Sequence, residues 1–342
     1  FLLVGLTNKQ FSPWTDPTVG GFILIALVGI VLFILAERRA QEPIIPLRLF
    51  RLRTYSTSMI STFFAAFAFF GAIVFLPRWF QFVHGFSPTE SGLAALPLMA
   101  GLIFSSIVSG LVVSRTGRYK WLVVGAIVLM AISSALMTQL TSTTPLPMVW
   151  FWMFLAGLGV GPTFAVFTII IQNAVPFQDL GVATSNLTFF RQIGGSVSLA
   201  IVGTIFGTSF QEQLVPSIAA AGVPQQVVDG FQQASSSGAF DVNQLAGAGV
   251  GFDLGKTILG QVPAAAQSFV APFINDIVQG IYAAFSLGVA QTFYIAVGAA
   301  IIAAIAAAAM IEHPLRTSVA PAPVAATGSQ PAKAAMPISN AE

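Results

Sequence analysis

The chain has 342 residues, of which 56% are hydrophobic and 8% charged, and its formal net charge is +2. Soluble domains carry about 25% charged residues, so this chain cannot cover an ordinary water-facing surface. It contains no cysteine, which excludes disulfides, thiolate metal sites and a cysteine nucleophile. The composition predicts an all-α polytopic membrane protein, and the low net charge argues against nucleic acid as a partner.

Apolar runs of about 20 residues, the length that a helix needs to cross a bilayer core, recur along the chain. The chain opens on Phe1–Leu6, which reads as the end of a helix, so we expect a C-terminal part of a longer protein. Residues 1–36 are therefore predicted to be a stub and a first span, and residues 54–208 to hold five more. The predicted spans cover residues 18–36, 55–77, 91–113, 121–140, 147–171, 184–208 and 288–311.

Three connecting segments differ from the spans in composition. Residues 37–53 carry five arginines, which suits a loop against an anionic inner leaflet. Residues 209–287 form a long outer connection, in which residues 270–285 repeat apolar side chains at helical spacing. That stripe predicts an amphipathic helix on the outer surface or capping the spans. Residues 312–342, rich in Pro and Ala, are predicted to be a disordered tail.

The distribution of basic residues orients the spans, because cytoplasmic loops carry an excess of Lys and Arg. Alternating the spans leaves three basic residues in outer loops: Lys9, Arg78 and Lys256. Ten fall in inner loops: Arg38, Arg39, Arg48, Arg51, Arg53, Arg115, Arg118, Lys120, Arg316 and Lys333. We therefore expect a cytoplasmic C-terminus. The five tryptophans fall at or near predicted span ends, as in an interfacial belt.

The turn between the second and third of the six spans that follow residue 54 carries a recognisable pattern. Residues 110–120 read Gly-Leu-Val-Val-Ser-Arg-Thr-Gly-Arg-Tyr-Lys. This turn resembles the loop motif of the major facilitator superfamily, Gly-x-x-x-Asp-Arg-x-Gly-Arg followed by basic residues. The matching residues are Gly110, Arg115, Gly117, Arg118 and Lys120, whereas Ser114 replaces the Asp of the family's charge pair. An ordinary basic turn is the alternative interpretation.

A second stretch narrows the resemblance to one branch. Residues 181–201, with Arg-Gln-Ile-Gly-Gly at 191–195, resemble the penultimate helix of the fourteen-spanning drug/proton antiporters. That branch inserts two helices between its six-helix halves, which would account for the single span ahead of residue 54. The resemblance implies a C-terminal six-helix half preceded by a linker helix. It also implies proton-driven export of amphipathic compounds by alternating access across a bacterial plasma membrane.

The same resemblance implies partners but neither a cofactor nor an enzymatic reaction. The expected partners are the lipid bilayer, a small amphipathic substrate, protons and the missing N-terminal half. The two histidines, His84 and His313, lie on opposite faces in this topology and suggest no metal site. A transporter of another small solute and a non-transporting binding or structural subunit remain as alternatives. A membrane-embedded enzyme would need a catalytic dyad within the spans, and the sequence shows none.

Arg191 is the one charged residue well inside a predicted span. Intramembrane charges usually face a cavity or a partner, although an arginine can also extend to the interface. Asn186 and Gln192 lie nearby in sequence, and Phe67 belongs to an aromatic cluster that could line a pocket or face lipid. We take these four residues as the candidate substrate or coupling pathway. Asp and Glu are absent from the predicted spans, so the coupling carboxylate is expected in the missing half.

Small residues predict close helix packing. Gly157 and Gly161, and likewise Gly203 and Gly207, have the Gly-x-x-x-Gly spacing that lets two helix backbones approach. Pro162 follows Gly161 directly and predicts a local bend, since proline removes a backbone hydrogen bond. Plain packing with no direct substrate role is the simpler interpretation of these glycines.

Overall fold

A computed structural model describes residues 4–5, 16–39, 45–236, 254–261 and 264–312. Within these residues, seven helices are long and apolar enough to cross a membrane. The helices are α1 (Phe22–Arg39), α2 (Arg53–His84), α3 (Pro88–Ala94), α4 (Leu96–Thr116), α5 (Lys120–Met137), α6 (Leu146–Ala174), α7 (Leu180–Ala220), α8 (Gln225–Ser236), α9 (Leu254–Gln261), α10 (Ala264–Val270) and α11 (Ile274–Ala308). Each of the seven predicted spans corresponds to one long helix, and the all-α prediction is confirmed.

Helix α1 differs from the rest in having apolar side chains exposed all round, among them Leu24 at 63% and Leu32 at 60%. It follows a single π-helical turn, Pro17–Gly21, which Asp16 caps. The Asp16 carboxylate accepts hydrogen bonds from the backbone N–H and the hydroxyl of Thr18, which lower its pKa. A helix this apolar on every side suits a position surrounded by lipid.

The other six long helices pack together. Helix α2 packs along α7 and α11, α4 packs on α6, and α5 bridges α6 and α11. The bundle has a basic end, which carries Arg53, Arg115 and Lys120, and an opposite end at the α2–α3 turn. At that turn Gly85 takes the left-handed conformation with φ of 69°, and Ser87 and Glu90 form a reciprocal capping box at the N-terminus of α3.

Helices α7 and α11 extend furthest beyond their predicted spans, since α7 continues to Ala220 and α11 begins at Ile274. The amphipathic helix expected within residues 270–285 does not lie on the outer surface; from Ile274 it is continuous with the last span, into which it was expected to lead. Its apolar stripe is instead the first part of α11, where Ile277, Ile281 and Phe285 are buried. A Cβ on Gly280 would lie 2.6 Å from the Cα of Ile218, so α11 and α7 are in backbone contact there.

The remaining outer connection consists of α8, α9 and α10, while residues 237–253 and 262–263 lie outside the described residues. The predicted tail also lies outside them, apart from Glu312. The tryptophans within the described residues differ in exposure, and Trp14 lies outside those residues. Trp121 is 74% exposed, but Trp79 and Trp152 are buried. Trp79 turns inward because its indole N–H donates to Ser286 Oγ at 2.9 Å.

Candidate functional site

Helices α2 and α7 run parallel in a constant register, which defines the α2–α7 seam. Asn186 donates to the Tyr55 hydroxyl at 3.1 Å, and Ser198 Oγ donates to the Phe67 carbonyl at 2.6 Å. In each pair the two residues are 131 positions apart in the sequence. Between them, a Cβ on Gly194 would lie 2.3 Å from the Phe63 carbonyl oxygen. At Gly194 the two helix backbones are therefore in direct contact, and the seam includes two of the predicted pathway residues, Asn186 and Phe67.

The α4–α6 seam is tighter still. A Cβ on Gly157 would lie 2.1 Å from the Leu98 carbonyl oxygen, and one on Gly161 would lie 2.5 Å from the Leu102 carbonyl oxygen. The hydroxyl of Ser106 donates across the seam to the Gly161 carbonyl at 2.9 Å. Small residues that allow backbone contact and polar groups that bond across it are the means by which helices associate in lipid.

Pro162 lies inside α6, immediately after this contact, and leaves the helix without one of its backbone hydrogen bonds. The second predicted glycine pair behaves differently from the first. A Cβ on Gly207 would meet no atom within 4 Å, and Gly203 is half-buried. Close approach at a Gly-x-x-x-Gly spacing is therefore seen in α6 but not at Gly207.

Arg191 lies roughly 16 Å along α7 from Leu180, at 1.5 Å per residue. Its side chain is half-buried and crosses to α6. The guanidinium carbon lies 4.1 Å from the centroid of the Phe164 ring, and one N–H donates to the Thr163 carbonyl at 3.4 Å. Phe164 also contacts Phe69 of α2 edge-on at 6.4 Å. Arg191 therefore lies where α2, α6 and α7 meet. The two residues of α6 that it contacts, Thr163 and Phe164, directly follow Pro162.

The four predicted pathway residues do not form one cluster. Asn186 is buried and bonded to Tyr55, Phe67 is buried in the core, and Gln192 is exposed. Arg191 has Phe164 and Thr163 as its neighbours instead. Phe164 does not stand out in the sequence as a neighbour of Arg191, because it lies 27 positions away on another helix and belongs to a continuous apolar run.

The loop motif closes the basic end between α4 and α5. Gly117 has φ of 70°, a left-handed conformation that favours glycine, and its N–H caps α4 on the Val113 carbonyl. Ser114 Oγ donates within its own helix to Leu111. The acidic residue that contacts this turn is Glu312, which follows α11. Its carboxylate accepts hydrogen bonds from the backbone N–H groups of Tyr119 and Lys120 at 2.8 and 3.4 Å.

Glu312 thus caps the N-terminus of α5, where a negative charge is favourable. The residues before it are also bonded, since Arg53 Nε donates to the Ala309 carbonyl and the Thr54 hydroxyl to the Ile311 carbonyl. Of the other motif residues, Gly110 has open space around it, Arg115 and Arg118 are exposed, and Lys120 lies 5.8 Å from the Trp121 ring. These contacts fasten α2, α5 and α11 to one another at the basic end.

A second set of contacts between segments lies at the start of α7. Arg48, in the short 3₁₀ helix Leu47–Arg51, forms a 2.6 Å ion pair with Asp179. The Arg48 side chain is 61% exposed and that of Asp179 is 7% exposed, and the second Asp179 oxygen is buried with no partner in the described residues. The same segment packs Phe50 against Tyr55 and Phe190. Part of the predicted 37–53 loop is therefore bound across the first turns of α2 and α7.

Residues 2–199, more than half of the chain, match the Major Facilitator Superfamily. The chain belongs to this superfamily. Its members are transporters rather than enzymes, and the chain is accordingly a multi-pass membrane protein. The resemblance carried by the turn at 110–120 is thereby confirmed at the level of the superfamily.

Among the relatives is the multidrug transporter protein MdtP of Bacillus subtilis, 32% identical over 303 residues, 87% of this chain and 54% of that protein. The tetracenomycin C resistance and export protein of Streptomyces glaucescens is 34% identical over 66% of this chain and 41% of its own length. An uncharacterized MFS-type transporter of Mycobacterium tuberculosis is 36% identical over 63% of this chain and 31% of its own length. The chain spans about a third to a half of these relatives.

The fold also matches solved structures. A bacterial homolog of the human lysosomal transporter Spinster, in an inward-facing and unoccupied conformation, aligns with a TM-score of 0.53 at 16% identity. The alignment covers 89% of this chain and 62% of that one. The occupied form aligns with the same TM-score over 85% of this chain. At this identity the match concerns the fold alone.

Proposed function

We propose that the chain supplies a linker helix, α1, and one six-helix half, α2 to α11, of a secondary transporter that exports amphipathic compounds. The observation that carries the proposal is the 32% identity to a multidrug transporter over 87% of the chain. The relative named for tetracenomycin C resistance and export supports the same activity. A second six-helix half of the same protein would complete the pathway, with substrate held between the two halves.

The packing supports alternating access by a rigid half. Backbone contacts at the α2–α7 and α4–α6 seams leave little room for the helices to slide within the half. Packed interfaces of this kind switch between discrete arrangements rather than deforming continuously. We therefore infer that the half rocks as a unit against its counterpart, with the basic end in the cytoplasm of a bacterial cell and the C-terminus on the same side.

We further propose that proton entry drives export and that the titrating carboxylate belongs to the second half. The acidic residues of the described part lie outside the predicted membrane-crossing runs: Asp16, Glu37, Glu90, Asp179, Glu212, Asp229, Asp276 and Glu312. Intramembrane carboxylates are the usual proton carriers in transporters. The half described here would then contribute the opposing wall of the cavity, including Arg191.

The test uses the whole reading frame that contains this chain, expressed in a bacterial strain whose own drug pumps are deleted. Cells loaded with a fluorescent amphipathic dye should lose it faster than cells that carry the empty vector. A protonophore should abolish the difference. Equal dye loss in both strains, across a panel of amphipathic compounds, would overturn the export function; export that persists after protonophore would overturn proton coupling alone.

A further inference from the structure

Arg191 carries more hydrogen-bonding capacity than its surroundings use. A guanidinium has five N–H donors and remains charged at any physiological pH. In the described part of the chain, its contacts are the Phe164 ring face and one 3.4 Å bond to the Thr163 carbonyl, and it pairs with no carboxylate. A charge at this depth normally has a partner. Most donors of Arg191 are therefore available to an anion.

The guanidinium is also held in place. Its carbon lies 4.1 Å from the Phe164 centroid, and Phe164 is itself fixed against Phe69 of α2. An aromatic face orients the guanidinium plane, which leaves a rigid edge of donors that matches a carboxylate. Thr163, which accepts the single hydrogen bond, is buried at 2% exposure. These contacts direct the Arg191 side chain across to α6.

We propose that Arg191, oriented by Phe164, is the receptor for an acidic group on the substrate, so that the exported compounds include amphipathic aromatic carboxylates. This inference rests on the proposed export function and specifies its substrate class. A carboxylate can bond the guanidinium edge in bidentate fashion and neutralise it. A carboxylate from the second six-helix half offers the same chemistry, so the experiment separates the two sources.

The experiment measures binding to the purified whole protein in lipid nanodiscs, with three fluorescent probes that share one ring system. They are 9-anthracenecarboxylate, its methyl ester and (9-anthracenylmethyl)trimethylammonium. The wild type should bind the carboxylate about tenfold more tightly than the ester, as expected for charge-assisted hydrogen bonds. Arg191→Gln should remove this preference while the ester affinity stays unchanged. Arg191→Lys, which keeps the charge but loses the planar edge, should keep part of it.

Phe164→Leu should also weaken the carboxylate preference, because the guanidinium loses its orienting face. Matched controls are Arg51→Gln, an exposed arginine at the basic end, and Phe104→Leu, a phenylalanine 60% exposed on α4. Both should keep the wild-type preference. Thermal unfolding of each variant, followed alongside, shows whether the fold is intact.

Three results would overturn the proposal: equal binding of carboxylate and ester by the wild type, a preference for the ammonium probe, or an unchanged preference in Arg191→Gln. An Arg191→Gln variant that unfolds at lower temperature but keeps the carboxylate preference assigns the partner to a carboxylate within the protein, which also overturns it. A preference that depends on Arg191 in a protein that exports none of the probes would support the anion site and contradict the export function instead.

Discussion

At the scale of single residues, the Arg48–Asp179 pair has two unequal partners. Arg48 is largely in solvent, whereas Asp179 is buried and one of its oxygens has no partner in the described residues. Removing the arginine would leave an uncompensated buried carboxylate, while removing the carboxylate would leave an arginine that water already hydrates. The two single variants should therefore differ in their effect on stability.

We predict that Arg48→Ala lowers the free energy of unfolding by about 1–2 kcal/mol, a value reduced for the exposure of Arg48. Asp179→Asn should cost less than half of that, and the double variant should resemble Asp179→Asn. Thermal unfolding of the detergent-solubilised whole protein, followed by size-exclusion chromatography, measures all three. A larger loss for Asp179→Asn than for Arg48→Ala would contradict the assignment.

Residue-level contacts were the least accessible from the sequence. Arg191 could be singled out, because a charge inside an apolar run is visible in one dimension. Its neighbours could not, since Phe164 looks like any other member of a hydrophobic helix. The same holds for the Glu312 cap on Tyr119, which joins residues 193 positions apart, and for the Arg48–Asp179 pair, 131 positions apart. Such pairs depend on how helices are juxtaposed, which hydrophobic periodicity alone does not encode.

At the scale of helices, the α4–α6 seam is the contact with the least room for an added side-chain atom. The Cβ that Gly157→Ala adds would lie 2.1 Å from a backbone oxygen of α4, which cannot move without displacing the helix. We predict that Gly157→Ala destabilises the protein by at least about 1–3 kcal/mol, as overpacked cores do. The measurement is the fraction of monodisperse protein after solubilisation, together with its unfolding temperature.

Gly125→Ala on α5 is the matched control. A Cβ there would meet no atom within 4 Å, and alanine favours the helix by about 1 kcal/mol over glycine. This variant should therefore be as stable as the wild type or more so. Equal behaviour of the Gly157→Ala and Gly125→Ala variants would show that the seam is not a close backbone contact.

The helices themselves were largely predictable, because a bilayer demands about 20 apolar residues for each crossing. Their ends were not. Helices α7 and α11 continue beyond their apolar runs because each packs against the other, as at Gly280 and Ile218. The stripe in residues 274–285 has the pattern of a surface helix, but the face that it buries lies against other helices rather than at an interface.

At the scale of the whole molecule, the predicted orientation of the chain in the membrane can be tested by the accessibility of introduced cysteines to a labelling reagent. The chain has no cysteine, so single cysteines can be introduced once any others in the whole protein are replaced. Thr116 lies exposed at the basic end and Thr143 lies exposed at the opposite end. A membrane-impermeant maleimide should label Thr143→Cys in intact cells and Thr116→Cys only after permeabilisation. The reverse pattern would invert the topology.

The superfamily could be identified from one turn and its position between two spans, and the matched region confirms it. The direction of transport, the coupling ion and the second six-helix half are proposals rather than features of the described helices. Their support is the similarity to export proteins and the lack of acidic residues in the predicted spans of the described part. The central claim is therefore that this half belongs to a proton-driven exporter.

Reconstituted flux tests that claim most directly. The purified whole protein is placed in proteoliposomes loaded with a fluorescent amphipathic substrate, and a pH gradient is imposed in either direction. The account predicts substrate movement opposite to the proton gradient, at a rate that falls to the protein-free level when the gradient is collapsed by an ionophore. Movement that is the same with and without the gradient would contradict it.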